Sequence, residues 1–203
     1  MIKTIIFDFG DVFLNLDKTG SLKKILNLLE LDSLPEDLIA FNCLYEQGLI
    51  STEEFLDFYQ NNFPKLNRQQ LIETWNYILK DFPKHRLDFL KQLHKDNIYK
   101  LILLSNTNEL HIDWVKEHTL FYEAFKSYFE VFYLSHEIHL RKPETDIYEF
   151  VLKVNNLIAT ECLFIDDTKE NTEAAKELGI HTWNINPETE DIVDLFTIKK
   201  ELF

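Results

Sequence analysis

The sequence predicts a doubly wound α/β fold: a parallel sheet flanked by helices, with an all-helical insertion after the first strand. Three observations predict it. Short, continuous apolar runs of β type recur along the chain. Helical patterns of period 3.6 separate them. One long stretch carries helical patterns and no convincing strand.

The first run is Ile2 to Phe7. The strandless stretch follows, from about Asn15 to Phe82. Leu22, Ile25, Leu26 and Leu29 mark one amphipathic helix there. Ser51 and Glu54 form a capping-box pair ahead of Phe55, Phe58 and Tyr59, and Leu71, Trp75 and Leu79 mark another helix. The second and third runs are Lys100 to Leu104 and Val131 to Leu134. A helix with the stripe Ile147, Phe150, Val151 and Val154 leads to the fourth, Cys162 to Ile165. Ala174, Ala175 and Leu178 mark the next helix, with Gly179 just past its end, and a weaker run covers His181 to Ile185. A helical insertion after the first strand lies over the carboxyl ends of the strands, where ligands bind in such sheets. The chain therefore divides into a core of residues 1–14 and 83–203 and a cap of residues 15–82.

A chain of 203 residues buries a core of this size, and its 17 phenylalanines make that core Phe-rich. Thirty-five acidic against 21 basic residues give a net charge of −14. Such a surface repels nucleic acid and anionic membranes, so any phosphate site must be made locally positive. Cys43 and Cys162 lie far apart with no CxxC pattern, and read as free thiols in a reducing cytosol. The first residues run into a strand without a charged leader, and no apolar run approaches the roughly 20 residues of a membrane span. A soluble, cytoplasmic protein is expected. No heptad pattern sets an oligomeric state.

The polar residues of interest sit where apolar runs end. Ile5-Ile6-Phe7 terminates in Asp8, followed by Phe9, Gly10 and Asp11. Leu103-Leu104 leads to Ser105-Asn106, and Phe164-Ile165 to Asp166-Asp167. Leu140-Arg141-Lys142-Pro143 lies between them. Singly, each has a bland reading. Asp8 is a turn residue, and Ser105-Asn106 is a helix N-cap. Lys142 is a surface lysine held extended by Pro143, which opens a helix, and Asp166-Asp167 caps another helix. Together they match the needs of phosphate ester hydrolysis through a covalent intermediate. That chemistry takes a carboxylate nucleophile, a hard cation, a fixed ammonium on the phosphoryl oxygens, and hydroxyl and N–H donors.

The order Asp8, Ser105, Lys142, Asp166-Asp167 resembles the four motifs of the haloacid dehalogenase superfamily of hydrolases. The resemblance spans nearly the whole chain and implies a Rossmann-like core with a helical cap. The segments Leu104 to Asn108, Leu140 to Glu144, Asp166-Asp167 with Asn171, and Glu46 to Ser51 are similar to a bacterial branch of sugar-phosphate phosphatases acting on glucose-1-phosphate and related compounds. What the resemblance implies is Asp8 as nucleophile, forming an aspartyl-phosphate. Mg²⁺ would be held by Asp8, the backbone carbonyl of Gly10, and the acidic pair, with Asp167 the direct ligand and Asp166 alongside or one water away. Ser105 and Lys142, joined by the Asn106 N–H, would hold the phosphoryl oxygens. The substrate would be a small phosphorylated metabolite. One departure stands out. Phosphatases of the superfamily commonly carry a second Asp two positions after the nucleophile as general acid, and here that position is Gly10. The nearest acid is Asp11, one position later, a candidate catalytic residue that would replace the missing general acid if the loop bends.

The four glycines form neither GxGxxG nor a P-loop. A phosphorelay receiver has its acidic pair first in the chain, not last. Two other readings use the same residues. A 2-haloacid dehalogenase would use Asp8, Ser105 and Lys142 without metal, but the dehalogenases carry an aromatic residue where Gly10 stands. A binding protein that lost turnover draws only on Gly10. His136 and His139 read as loop residues near Lys142, within reach of substrate. Trp75, Trp114 and Trp183 read as packing residues, and Tyr45 and Glu46 as candidates facing the site.

Overall fold

The computed structural model describes residues 1–203. Its first strand, β1 (Thr4–Phe7), is followed by the helices α1 (Lys18–Leu29), α2 (Glu36–Glu46), α3 (Thr52–Asn62) and α4 (Arg68–Trp75). Next come α5 (Lys84–Asp96), β2 (Lys100–Ser105), α6 (Glu109–His118), α7 (Tyr122–Ser127), β3 (Val131–Leu134) and α8 (Ser135–Ile138). The chain ends with α9 (Thr145–Val154), β4 (Cys162–Asp166), α10 (Lys169–Glu177), β5 (His181–Asn184) and α11 (Leu195–Ile198). The five strands form one parallel sheet in the order β3-β2-β1-β4-β5. The direction of winding reverses at β1, so the carboxyl ends of β1 and β4 border the crevice that ligands use in such sheets.

The apolar runs are continuous because both sheet faces are covered. Ile5, Phe7, Leu101, Leu103, Leu163 and Ile165 face one hydrophobic cluster, and Ile6, Ile102, Leu104 and Phe164 face the other. The first cluster is the Phe-rich one. Phe7, Phe13, Phe125 and Phe129 pack tilted or edge to face there, with ring centroids 5.1–6.2 Å apart. Phe9, Val12, Phe13 and Leu14 all bury into this cluster, which pins the loop that follows Asp8. No helix is long and apolar enough to cross a membrane.

The helices of the insertion bury a cluster of their own, built on Ile25, Leu29, Leu38, Tyr45, Phe55, Tyr59 and Leu71. The Ser51–Glu54 capping box opens α3 as expected. The helix expected through Leu79 instead stops at Trp75 and tightens into a turn over Asn76–Ile78. The reason is the return path. The Asn15, Asp17 and Lys80 N–H groups bond to the carbonyls of Asp81, Ile78 and Asn15, and Leu16 bridges Leu79. The two connecting segments thus zip together, which a continuing helix would prevent, and Leu79 packs into the sheet's cluster. Similarly, Val154 ends its stripe 54% exposed rather than buried. Gly179, with φ 83°, does sit just past the end of α10.

The turn from α2 to α3 is fastened to α8 and the residue after it. The Ser135 hydroxyl donates to the Glu46 carbonyl at 2.6 Å, and His139 Nδ1 lies 2.9 Å from the Gln47 carbonyl. Gly48 has φ 63°, and a Cβ there would stand 2.0 Å from the His136 carbonyl oxygen, so only glycine allows this approach. His136 belongs to the short helix α8 rather than to an open loop, and His139 follows it at φ 58°. Cys43 and Cys162 are unpaired.

Candidate active site

Lys142 is the centre of the arrangement. It is 1% exposed, and its ammonium donates to Asp8 Oδ1 at 2.8 Å, Asp166 Oδ2 at 2.6 Å and the Leu104 carbonyl at 2.9 Å. Three donors meet three acceptors, so the group is fully used and its direction fixed. Burial alone would lower its pKa, but Asp166 and Asp8 overcome that and hold it above the usual lysine value.

The backbone of Lys142 is fixed by a side chain. Asn106 donates its amide to the Lys142 carbonyl at 2.8 Å and accepts the Lys142 N–H at 2.9 Å. Asn106 is therefore not a helix cap. The cap of α6 is Asn108, which accepts from the His111 N–H. Nor does Pro143 open a helix: α9 starts at Thr145, after a cis Lys142–Pro143 bond. The Lys142 side chain reaches the carboxyl ends of β1, β2 and β4.

β1 and β4 are neighbours, and the Asp8 N–H donates to the Ile165 carbonyl. Asp166, fully buried, accepts from the Thr168 N–H at 2.8 Å and from the Asn171 amide at 3.0 and 3.1 Å, besides Lys142. Asp167 pairs with Lys18, in the first turn of α1, and Lys18 also lies 3.0 Å from Asp11. The Asp11 carboxylate accepts the Leu16 N–H at 2.9 Å from a left-handed backbone at φ 54°. That fold of the loop turns Asp11 toward Lys18. Neither Asp11 nor the fully buried Asp166 lines the cavity that Asp8, Gly10, Ser105, Asn106, Lys142 and Asp167 border. Gly10 has no room to spare, since a Cβ would lie 2.6 Å from Leu16 Cδ1. The Ser105 hydroxyl has only a long 3.5 Å bond to the Asn106 carbonyl.

Burial raises the Asp8 carboxyl to about 7, with Lys142 opposing the rise and Asp166 adding to it. Asp167 is raised too, by burial, against the pull of Lys18. Four carboxylates, those of Asp8, Asp11, Asp166 and Asp167, share two ammonium groups, Lys18 and Lys142. The excess is two negative charges. Asp8, Asp166 and Asp167 each offer an oxygen within 4.8 Å of the others. An all-oxygen donor set with this charge suits a hard divalent cation such as Mg²⁺.

The cavity has a volume of about 450 Å³. Among the lining residues that sequence reasoning missed are Lys18, His111 and Arg141. Arg141 was signalled only by its place beside Lys142, and the other two by nothing local. Of the residues expected to face the site, Glu46 does and pairs with Arg141 at 3.1 Å. Tyr45 does not: it is 2% exposed inside the helical cluster, with its hydroxyl on Thr52 and the Leu110 N–H. His136 and His139 do not line the cavity either.

His111 is held neutral. Burial, aided by His136, pushes its pKa down to about 4, although the Trp75 carbonyl pulls the other way. The unfolded chain protonates this ring near the ordinary value of about 6.5, so below that pH the unfolded state binds more protons. The resulting stability is complete above about 6.5 and is lost as pH falls toward about 4, by up to about 3 kcal/mol. His111→Gln keeps a donor for the Trp75 carbonyl and removes the titration. Denaturant unfolding at pH 7.5 and 4.5 should show a smaller acid loss in the variant than in the wild type.

Comparison with known proteins shows the family. A family model described as haloacid dehalogenase-like hydrolase matches residues 2–179. The chain belongs to the haloacid dehalogenase-like hydrolases. Among relatives of this hydrolase, a D-ribitol-5-phosphate phosphatase of Bacteroides thetaiotaomicron is 30% identical over 192 residues, covering 90% of this chain and 91% of that protein. A HAD family enzyme of the same organism, crystallised with magnesium and inorganic phosphate, superposes with a TM-score of 0.81 at 33% identity, covering 97% and 100% of the two chains. A predicted HAD-like family hydrolase from Porphyromonas gingivalis superposes at 0.82 with 27% identity, covering 100% and 98%.

Proposed function

We propose that this hydrolase is a Mg²⁺-dependent phosphatase that releases phosphate from a small sugar or sugar-alcohol phosphate through an aspartyl-phosphate on Asp8. The observation that carries the reading is the buried Lys142 ammonium on Asp8 and Asp166, beside three carboxylates close enough to share a cation. The phosphatase and magnesium-bound relatives support the same reading.

Asp8, Asp167, Asp166 and the Gly10 carbonyl would hold Mg²⁺, which supplies positive charge against the phosphate dianion. The Lys142 ammonium directs one Asp8 oxygen and leaves the other to attack phosphorus. The new bond is Asp8 Oδ–P, and the bond that breaks is that from phosphorus to the ester oxygen. The Ser105 hydroxyl and the Asn106 N–H take the phosphoryl oxygens as charge shifts onto them, and the Lys142 ammonium, its three N–H groups already used, adds its positive charge beside them. Water then attacks phosphorus, freeing the Asp8 carboxylate and inorganic phosphate.

Asp11 is committed to Leu16 and Lys18, and Gly10 has no side chain, so the leaving oxygen takes its proton from water. General acid help contributes roughly 10²–10⁴-fold, and turnover is correspondingly slow without it. Residues 15–82 act as a cap over the core of residues 1–14 and 83–203. Glu46 at the cavity and the fastened α2–α3 turn support that division.

A panel of sugar phosphates and sugar-alcohol phosphates, p-nitrophenyl phosphate and 2-chloropropionate tests the reading, with Mg²⁺ and with chelator. Phosphate release that needs Mg²⁺ and returns on its re-addition is the expected result. Metal-independent chloride release without phosphate release would replace it with the dehalogenase reading.

A further inference from the structure

The cavity has a second polar feature away from the Asp8 cluster. Glu46, the last residue of α2, reaches across to Arg141, and both line the cavity wall. The pair spans the insertion and the loop that delivers Lys142. Arg141 uses one terminal nitrogen on Glu46. Its Nε is buried and has no hydrogen-bond partner. A buried donor left unpaired costs free energy, so the site is arranged for an acceptor that the protein itself does not supply. Glu46 adds the complement, because an ionised carboxylate only accepts and a guanidinium only donates.

The charge around the pair narrows the acceptor. Glu46 already neutralises Arg141, Lys18 is taken by Asp11 and Asp167, and Glu170 adds another carboxylate to the lining. The chain as a whole carries −14. A second anionic group on the substrate would meet no free cation here. A hydroxyl meets both needs, donating to Glu46 while accepting from the Arg141 terminal nitrogen that Glu46 leaves unused. We infer that Glu46 and Arg141 form a hydroxyl-reading pair that selects an uncharged, polyhydroxylated leaving group over bare alkyl or doubly phosphorylated ones. This rests on the phosphatase reading above and deepens it.

The experiment compares kcat/KM for a pentitol phosphate with that for n-pentyl phosphate, which matches its length and has no hydroxyl on the leaving chain. Wild type, Glu46→Gln and Arg141→Gln are measured with Mg²⁺. The expected result is a ratio well above one in the wild type that falls roughly 10- to 100-fold in each variant, the range for losing a hydrogen bond to a charged group. A pentitol bisphosphate should be a poorer substrate than the monophosphate. A ratio unchanged in both variants, whatever their absolute rates, overturns the pair's role. So does an equal loss on both substrates, which would make the pair a fastener between α2 and the Lys142 loop only. Asp8-dependent release of phosphate from p-nitrophenyl phosphate by the wild type is the control. Its absence overturns the phosphatase reading and the pair with it, while its presence with an unchanged ratio overturns the pair alone.

Discussion

Asp8→Asn abolishes phosphate release, by roughly 10⁴-fold or more, while leaving the fold intact. The amide has the carboxylate's shape and none of its nucleophilicity. Lys142 keeps Asp166 and the Leu104 carbonyl as partners, so no buried charge is left unpaired. The variant also loses a carboxyl that burial holds up at about 7, and the site's negative excess drops. Circular dichroism and denaturant unfolding should therefore show a wild-type-like protein, with loss confined to turnover. Asp8→Glu should also fail, because one extra methylene moves the attacking oxygen by more than the geometry of in-line attack tolerates.

Lys142→Met gives the largest loss of stability, about 3–5 kcal/mol, because it strands two buried carboxylates. Asp8 and Asp166 face each other across the vacated ammonium, both buried. The Asp8 carboxyl then rises further, since the opposing pull of Lys142 is gone while Asp166 still repels it. The sign follows from that rise. An acid with a raised folded pKa favours the folded state below its unfolded value and penalises it as pH climbs through the folded one. Wild type and variant carry the same Asp8 penalty below about 7, so the gap between them should widen as pH climbs above about 7, as denaturant unfolding on either side of that value would show. Lys142→Arg should not restore activity. A planar guanidinium cannot reproduce three bonds made by a compact ammonium in a space that leaves Lys142 1% exposed. A variant as stable and active as the wild type would show that the three bonds are incidental.

How much of this was legible in the sequence depends on what each residue answers to. The strands were legible because both sheet faces are buried, so Ile5 to Phe7, Leu101 to Leu104 and Leu163 to Ile165 read as unbroken apolar runs. The gathering of Asp8, Ser105 and Asp166-Asp167 followed from their places at strand ends, whereas Lys142 arrives from the loop after α8. The helix end at Trp75 was not legible, because backbone bonds to Asn15 and Asp17, some 60 residues earlier, decide it. Asn106 was ambiguous for a similar reason. An asparagine after a strand looks like a cap, and only the tertiary approach of Lys142 gives its side chain another task. Lys18 and His111 carry no local signal at all, and Glu46 and Arg141 are marked only by their neighbours, not as a pair. Each gains its surroundings when the helical insertion folds onto the sheet.

The most direct test of the account is to trap the phosphorylated carboxylate. The enzyme is mixed with substrate and Mg²⁺, quenched during turnover, reduced with borohydride and digested for mass spectrometry. An acyl phosphate on Asp8 is reduced to homoserine at that position alone, only when both substrate and Mg²⁺ are present, and not in Asp8→Asn. Homoserine at another carboxylate, or continued phosphate release by Asp8→Asn with no label anywhere, would contradict Asp8 as the nucleophile.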